Sequence, residues 1–155
     1  GLPIFFKQDR IGKRGKKFKI IKIRTLKKDT PNLGTHDLEK NHMLINGKWI
    51  RKLKLDEFPQ LVNVIRGDIN IVGPRPGLVM QTELFDARSS KDIYSIKPGI
   101  TGLAQILGYD MSDPEKLAEI DGIYIVNRSF NIDLLIILGT FFNLPRQILR
   151  KKFKI

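Results

Sequence analysis

The sequence LKLDEFPQL, residues 53–61, places two adjacent carboxylates before a proline and a helical repeat of apolar residues. The apolar side chains recur at the spacing of one helix face, at positions 55, 58, 61, 62 and 65. Because proline is tolerated only in the first turn of a helix, Pro59 predicts that this helix begins near Asp56, and Gly67 predicts its end. Asp56 and Glu57 are therefore expected at a helix N-terminus, where the helix dipole and free N–H groups stabilise anions. The alternative is an ordinary pair of acids in a first helical turn.

The charge of the chain is unevenly distributed. Of 155 residues, 28 are Lys or Arg and 16 are Asp or Glu, which gives a net charge of +12. Residues 1–54 hold 16 basic and 4 acidic side chains, residues 55–145 hold 7 and 12, and residues 146–155 hold 5 basic ones. Basic regions of this kind attract nucleic acid, anionic lipid or phosphorylated substrates, unless they serve only as a well-hydrated surface.

The composition excludes several kinds of site. The chain has no cysteine, which excludes disulfides, thiolate zinc sites and cysteine nucleophiles and favours a reducing compartment. Its two histidines, His36 and His42, lie in a polar stretch, so a histidine-rich metal site is not expected. The longest apolar stretch, residues 132–144, is interrupted by polar residues and is shorter than the ~18–20 residues of a membrane span. Because the chain opens directly on a strand-like segment, we expect that an upstream segment is missing.

The first half of the chain has the pattern of a β-hairpin followed by short helices. Residues 3–9 and 18–26 are rich in β-forming residues, and the basic loop between them carries Gly12 and Gly15. Residues 27–47 are polar and predict a long loop. GKWIRKL, residues 47–53, predicts a short amphipathic helix.

The second half alternates short strands or turns with helices. DINIVGPRP, residues 68–76, predicts a short strand that runs into a rigid turn, and IKPGITGLAQ, residues 96–105, predicts a turn-rich loop. The expected fold class is α+β, a small β-hairpin or sheet with several helices in one domain spanning residues 1–155. Further helices are expected over residues 78–88, from Pro114 behind a capping box of Ser112 and Glu115, and over residues 132–149 with a kink near Pro145.

Two stretches carry cations in a setting that suits phosphate. In GPRP, residues 73–76, prolines on both sides of Arg75 restrict the backbone, which favours a guanidinium that meets a phosphate in one bidentate geometry. A solvated arginine in a proline-rich turn is the alternative. Lys22 and Arg24 share one face of the second strand and follow the glycine pair Gly12-x-x-Gly15, which is similar to the loop of a KH domain. An edge strand protected by lysines is the alternative there.

Taken in order, six stretches resemble the bacterial sugar transferases, the monotopic polyprenyl-phosphate phosphoglycosyl transferases. These stretches are FFKQDRIG, FKIIKIRT, LDEFPQL, NVIRGDINIVGPRP, KPGITGLAQ and YIVNRSFNIDL. The resemblance runs from Pro3 to about Phe142. It implies transfer of a sugar-1-phosphate from a UDP-sugar to polyprenyl phosphate at the cytoplasmic face of the bacterial inner membrane, with UMP released and Mg²⁺ as cofactor. It also implies amphipathic helices at an anionic membrane surface and an upstream membrane segment that this chain lacks.

The resemblance also assigns roles to residues. Asp56 is implied as the nucleophile that forms a covalent phospho-sugar intermediate, and Glu57 as its acid/base or metal partner, so that both carboxylates are implied metal ligands. Arg75 matches a phosphate-binding arginine, and Lys22 and Arg24 match basic positions near the active site.

The nucleotide and sugar side of the site is expected from residues further along the chain. Leu103 and Tyr109 stand where many relatives have Trp and Arg, which leaves recognition of the nucleotide and sugar open. The residues expected on this side are Lys97, Tyr109, Asp110 and Asp121.

Two other classes of function stay open at this point. The charge and the glycine pair suit a nucleic-acid-binding module, although no nucleic acid is expected as partner if the resemblance holds. A Mg²⁺-dependent phosphohydrolase, which needs no lipid acceptor, is the other alternative.

Overall fold

The computed structural model describes residues 4–27, 30 and 42–155. His36 and most of the loop predicted over residues 27–47 lie outside these ranges. Within them the chain is a mixture of strands and helices, which confirms the predicted α+β class. The strands are β1 (Phe5–Ile11), β2 (Lys17–Ile23), β3 (Asn70–Val72) and β4 (Gly99–Thr101). The helices are α1 (Gly47–Lys52), α2 (Gln60–Arg66), α3 (Thr82–Ser90), α4 (Leu103–Leu107), α5 (Pro114–Asn127), α6 (Phe130–Phe141) and α7 (Asn143–Phe153).

The strands β1 and β2 form the predicted antiparallel hairpin. Their register runs from Phe5 opposite Ile23 to Ile11 opposite Lys17, and a 3₁₀ turn over Lys13–Gly15 joins them. Directly opposed residues of an antiparallel pair lie on the same face of the sheet. The face that carries Lys22 therefore also carries residues 6, 8 and 10 of β1.

A second small sheet joins the GPRP and KPGITG segments. The strand β3 pairs in parallel with β4, and Gly73 N donates a hydrogen bond to Thr101 O at 2.9 Å. A Cβ atom on Gly99 or Gly102 would collide with the backbone of Gly73, so this backbone approach requires glycine. The prediction of a turn-rich loop over residues 96–105 was wrong in this respect, because the segment holds both β4 and α4. A strand of three residues exists only through its tertiary pairing and leaves little pattern in the sequence.

The apolar core lies among helices α3 to α7 and strand β3. Helix α5 contributes Leu117 and Ile120, α6 contributes Ile132 and Ile136, and α7 contributes Leu149. Burial of each such side chain stabilises the fold by about 1.5–3 kcal/mol. The basic C-terminal helix is thus anchored on the core by Leu149, while Lys151 and Lys152 remain exposed. None of the helices in the described ranges has the length and apolarity needed to cross a membrane.

Two helix boundaries and one helix cap differ from the predicted ones. Helix α3 begins at Thr82 rather than at residue 78, because Leu78 and Gln81 form a turn in which Gln81 Oε1 accepts from Leu78 N at 2.8 Å. Helix α5 begins at Pro114 as predicted, but its cap is Asp113, whose side chain accepts from Lys116 N. The long C-terminal helix is broken at Phe142, and Pro145 lies in the first turn of α7, where the missing N–H is tolerated.

Helix α2 and the turn before it present the apolar repeat to the outside. Ile65 is 87% and Phe58 64% exposed, whereas Gln60 and Asn63 are 1% and 0% exposed. Asn63 Oδ1 accepts from Ile21 N at 3.1 Å, and its Nδ2 donates to Lys19 O at 2.9 Å. The buried polar face of α2 therefore binds the backbone of β2, and this contact brings the hairpin beside the Asp56–Glu57 segment.

Candidate active site

Asp56 and Glu57 lie in a 3₁₀ turn, Leu55–Glu57, between α1 and α2. The predicted helix start near Asp56 was four residues too early, since α2 begins at Gln60. Phe58 N donates to Leu55 O, three residues back, and Pro59 has no N–H to continue a regular helix. Because adjacent residues in a 3₁₀ turn differ by about 120° around the axis, the two carboxylates point in different directions.

The chain enters this turn through a strained residue. Lys54 has φ 56° and ψ 19°, in the left-handed region that costs a residue with a side chain about 1–2 kcal/mol. Lys54 also lines the pocket described below. Backbone strain of this kind is common where a functional side chain must be aimed.

The Glu57 carboxylate contacts two cationic side chains. Arg75 Nη2 donates to Glu57 Oε1 at 2.8 Å, and Lys22 Nζ lies 3.5 Å from the same oxygen. Burial alone would raise the pKa of Glu57, but the charges of Arg75 and Lys22 outweigh it and bring that pKa down to about 2. Glu57 is therefore ionised at neutral pH and is a weak base.

Asp56 has the opposite electrostatic setting. Burial and the negative charge of Glu57 raise the pKa of Asp56, and the charges of Lys22 and Arg51 offset only part of this. The two neighbouring carboxylates thus have pKa values that are pushed apart, which is the pattern of an active site with divided roles. Asp56 is the more basic carboxylate and the better nucleophile of the two.

A pocket of about 440 Å³ opens in front of the dyad. Its walls come from the hairpin, the α1 region, the Asp56 turn, the GPRP turn and α4. Asp56 and Glu57 are the two acidic groups of this lining, as far as the described residues show. Eight cationic residues also line the pocket: Lys7, Arg10, Lys22, Arg24, Lys27, Arg51, Lys54 and Arg75. This excess of positive charge suits a ligand with several phosphate charges.

The cations of the pocket repel one another. Burial and the charge of Arg75 lower the pKa of Lys22 to about 7, and the same two causes lower that of Arg10 to about 10. Burial also lowers the pKa values of Arg51 and Lys54. A bound polyanion would relieve this repulsion, so the positive charge of the pocket favours the binding of phosphate groups.

The dyad has the donor chemistry that Mg²⁺ accepts. In the part of the chain that the structure describes, no group of three or more His, Cys, Asp or Glu side chains is placed to hold a metal ion. Mg²⁺ normally keeps several waters and binds one or two protein carboxylates together with substrate phosphates. Asp56 and Glu57 are neighbours in the lining of a pocket rich in positive charge, and their carboxylates have the chemistry of that smaller ligand set.

Comparison with known proteins places the chain in a family. The family model described as Bacterial sugar transferase matches residues 1–147. The chain belongs to the bacterial sugar transferase family. This confirms the resemblance found in the sequence.

Individual relatives match over most of this chain. An uncharacterised sugar transferase of Bacillus subtilis, EpsL, is 42% identical over 140 residues, which are 90% of this chain and 69% of EpsL. The UDP-N-acetylgalactosamine-undecaprenyl-phosphate N-acetylgalactosaminephosphotransferase of Aeromonas hydrophila is 37% identical over 89% of this chain and 34% of its own length. The UDP-glucose:undecaprenyl-phosphate glucose-1-phosphate transferase of Caulobacter vibrioides is 35% identical over 89% of this chain and 55% of its own length. The chain thus spans only part of each of these proteins.

The structure brings five of the predicted site residues together and leaves four outside the pocket lining. Asp56, Glu57, Arg75, Lys22 and Arg24 all line the pocket. The four others lie elsewhere. Lys97 lies near Gly67, Tyr109 packs against the core, Asp110 accepts from the backbone N–H and the hydroxyl of Ser112, and Asp121 is buried against Arg88. None of the four residues belongs to the pocket lining, and their contact with the nucleotide or sugar stays a prediction.

Several pocket residues were missed in the sequence. Arg10 and Phe6 come from β1, and their place follows from the two-residue alternation of a strand once Lys22 is assigned to the site. Arg51 of α1, whose Nε donates to Thr25 Oγ1 at 2.8 Å, has no comparable signal. Gln105 of α4 lines the pocket as well, and its buried Oε1 has no hydrogen-bond partner among the described residues.

Proposed function

We propose that this domain transfers a sugar-1-phosphate from a UDP-sugar to undecaprenyl phosphate and releases UMP. The observation that carries the proposal is the pocket, whose lining combines a carboxylate of raised pKa with eight cationic residues. Such a site combines a nucleophile with charges that bind a diphosphate and stabilise its transition state. The printed names of the Aeromonas and Caulobacter relatives describe the same class of reaction and support the proposal. The product would be the first lipid-linked intermediate of a surface glycan, made at the cytoplasmic face of the inner membrane.

In the first step, the Asp56 carboxylate attacks the phosphorus that carries the sugar. A bond forms between Asp56 Oδ and this phosphorus, the bond from phosphorus to the bridging oxygen breaks, and UMP leaves with that oxygen. A carboxylate that approaches a diphosphate meets anion–anion repulsion, which Arg75, Lys22 and Arg51 would reduce. Glu57 remains ionised and holds Arg75 and Lys22 at the site.

In the second step, an oxygen of undecaprenyl phosphate attacks the same phosphorus. The acyl–phosphate bond to Asp56 breaks, the carboxylate is restored, and the product is a polyprenyl-diphospho-sugar. Water takes no part in this balance. Partial burial of Asp56 would help to protect the intermediate from hydrolysis.

Mg²⁺ is the proposed cofactor, with Asp56 and Glu57 as its protein ligands. When bound, it would neutralise charge on the phosphoryl group and on the leaving oxygen. The cationic side chains remain necessary beside it, because Arg75 supplies a planar fork of donors that fixes the orientation of a phosphate.

The outside of the dyad suits a lipid acceptor. Beside Asp56, the exposed apolar side chains of the α2 segment form a surface of Phe58, Leu61, Val62 and Ile65. Helix α6 also has exposed apolar side chains, Phe130 and Phe141, and α7 has the exposed lysines Lys151 and Lys152. We propose that these apolar side chains rest in the headgroup region of the bilayer and that the lysines meet anionic lipid.

The proposal is tested by incubating the protein with undecaprenyl phosphate, Mg²⁺ and a panel of UDP-sugars, and by measuring UMP and the lipid product. UMP and polyprenyl-diphospho-sugar are expected in equal amounts with at least one donor. Free sugar phosphate formed without lipid would indicate a phosphohydrolase. Salt-sensitive binding of nucleic acid without UMP formation would indicate a nucleic-acid-binding module.

A pair of matched variants controls the assay. Asp56→Asn removes the proposed nucleophile and is expected to abolish UMP release. Asp86→Asn makes the same chemical change on an exposed position of α3 outside the pocket lining and is expected to leave it unchanged. Equal activity of the two variants would contradict the proposal.

A further inference from the structure

A buried ion pair outside the pocket contacts the site through the backbone. Arg88 of α3 and Asp121 of α5 have side chains that are each 2% exposed. Arg88 Nη2 and Nε donate to the same oxygen, Oδ2 of Asp121, at 2.6 and 3.1 Å. Arg88 Nη1 donates instead to the backbone carbonyl oxygen of Arg75, at 2.7 Å. One guanidinium therefore joins two helices to the GPRP turn.

Stability alone is a weak reason for such a pair. Desolvation of two buried charges offsets most of their attraction, and apolar residues of similar volume often stabilise a fold as well or better. Burial raises the pKa of Asp121 even though the charge of Arg88 opposes this, which reflects the desolvation of that carboxylate. The arginine supplies one thing that an apolar residue cannot, namely a charged donor for the carbonyl of Arg75.

The hydrogen bond from Arg88 adds to other restraints on the backbone of the GPRP turn. Prolines on both sides of Arg75 restrict its backbone, and Arg10 Nη1 donates to Pro76 O at 3.0 Å. Because the carbonyl of Arg75 is held as well, the remaining conformational freedom of this residue lies mainly in its side chain. The Nη2 atom of that side chain donates to Glu57 Oε1 at 2.8 Å. A continuous chain of contacts therefore runs from Asp121 through Arg88 and Arg75 to the dyad.

We propose that Arg88 and Asp121 are positioning residues that hold the Arg75 guanidinium at the phosphate site. The inference rests on the proposed function, in which Arg75 binds the diphosphate of the donor. It gives Asp121 a role at the back of the GPRP turn instead of contact with the nucleotide or sugar. A displacement of about 1 Å in a group that orients a substrate can lower the rate about 10²-fold.

The main test replaces the pair by apolar residues, in the variant Arg88→Met with Asp121→Leu. This variant is expected to fold with an unchanged or higher melting temperature and to lose about 10²-fold in kcat/KM. Arg88→Lys is the second variant. It retains a charge for Asp121 but has a single nitrogen in place of the fork, so it is expected to fold and to lose about 10-fold or more in kcat/KM. Full activity in both folded variants would overturn the proposal.

A mutant cycle shows whether the pair acts through Arg75. In an Arg75→Ala background, the Met and Leu substitutions are expected to cause no further loss, because the residue they position is gone. An additional loss of about 10²-fold would overturn the proposal, since the pair would then act by another route. Glu119→Gln is the matched control, because Glu119 is an exposed acid on the same helix whose partner is Lys116 at 2.9 Å. Glu119→Gln is expected to leave the activity of the wild type and the activity of the Arg75→Ala variant unchanged.

A readout without turnover separates this inference from the proposed function. The guanidinium signals of Arg75 in ¹⁵N NMR, assigned with Arg75→Lys, are expected to show restricted rotation in the wild-type protein and free rotation in the Met and Leu variant. If UDP-sugars give no UMP with the wild type but this change is seen, the proposed reaction fails and the positioning role stands. Restricted Arg75 signals in a folded Met and Leu variant would overturn the positioning role, whatever the activity.

Discussion

Removal of the Lys22 charge is expected to stabilise the ligand-free protein at neutral and acidic pH. Lys22 Nζ lies 3.5 Å from Glu57 Oε1, and Arg75 Nη2 lies closer to the same oxygen, at 2.8 Å. Because Glu57 is shared with Arg75, it compensates the charge of Lys22 only in part. Burial and the charge of Arg75 lower the pKa of Lys22 from 10.5 to about 7. At about 1.4 kcal/mol for each pH unit, this difference corresponds to about 5 kcal/mol at most.

The sign and the pH window follow from proton linkage. Below pH 7 both the folded and the unfolded protein hold the Lys22 proton, and the folded state bears the full cost. Between pH 7 and 10.5 only the unfolded state holds it, so the stability of the wild type rises with pH. The stability advantage of Lys22→Met should therefore be constant below pH 7 and then shrink by about 1.4 kcal/mol per pH unit.

The assay is urea unfolding of the wild-type protein and of Lys22→Met at a series of pH values from 6 to 9.5. The quantity compared is the difference between their free energies of unfolding at each pH. Lys19→Met is the matched control on the same strand. The Lys19 side chain is 68% exposed and paired with Asp9, so its removal is expected to change the stability by about 1 kcal/mol or less at every pH. A difference curve for Lys22→Met that stays flat from pH 6 to 9.5 would refute the electrostatic account of the pocket.

Three further variants test the site and its surroundings. Arg75→Lys should keep the fold and lower UMP release about 10²-fold, because lysine retains the charge without the planar fork, and near-normal release would exclude a clamping role. Glu57→Gln should lower kcat about 10²-fold by releasing Arg75, yet still allow some covalent intermediate in a rapid-quench assay; unchanged kcat would contradict the anchoring role. Reversal of the exposed charges Lys151, Lys152 and Lys154 should weaken the free energy of binding to anionic liposomes, measured by flotation, by about 1 kcal/mol per residue, and should leave binding to neutral liposomes unchanged. Binding that does not depend on lipid charge would contradict the membrane proposal.

The elements that the sequence predicted well are those with a strong local pattern. The hairpin follows from alternating apolar residues around a glycine-containing turn, and the start of α5 follows from Pro114 behind a short polar side chain. The end of α2 at Gly67, with φ 80°, follows from the need for a left-handed residue. In each case the decisive residues are neighbours in the sequence.

The features that could not be predicted depend on contacts between distant residues. Helix α2 has the periodicity of an amphipathic helix, but its polar face is buried because Asn63 finds backbone partners on β2, more than 40 residues earlier. The bond between Arg88 and Asp121 spans 33 residues, and no local pattern distinguishes either residue from a surface charge. The five residues that the family resemblance assigned to the site lie together in the lining of one pocket, although they are far apart in the sequence. Their roles in binding and catalysis stay predictions.

The most direct measurement of the central claim is the mass of the intact protein after incubation with a UDP-sugar in the absence of any lipid acceptor. If Asp56 is the nucleophile, the protein should gain the mass of one phospho-sugar while about one UMP per active site is released. Hydroxylamine should remove the adduct, because an acyl phosphate is labile, and Asp56→Asn should show neither adduct nor UMP. UMP that appears only when both substrates are present, with no adduct in rapid-quench samples, would contradict the account and make the lipid phosphate itself the nucleophile.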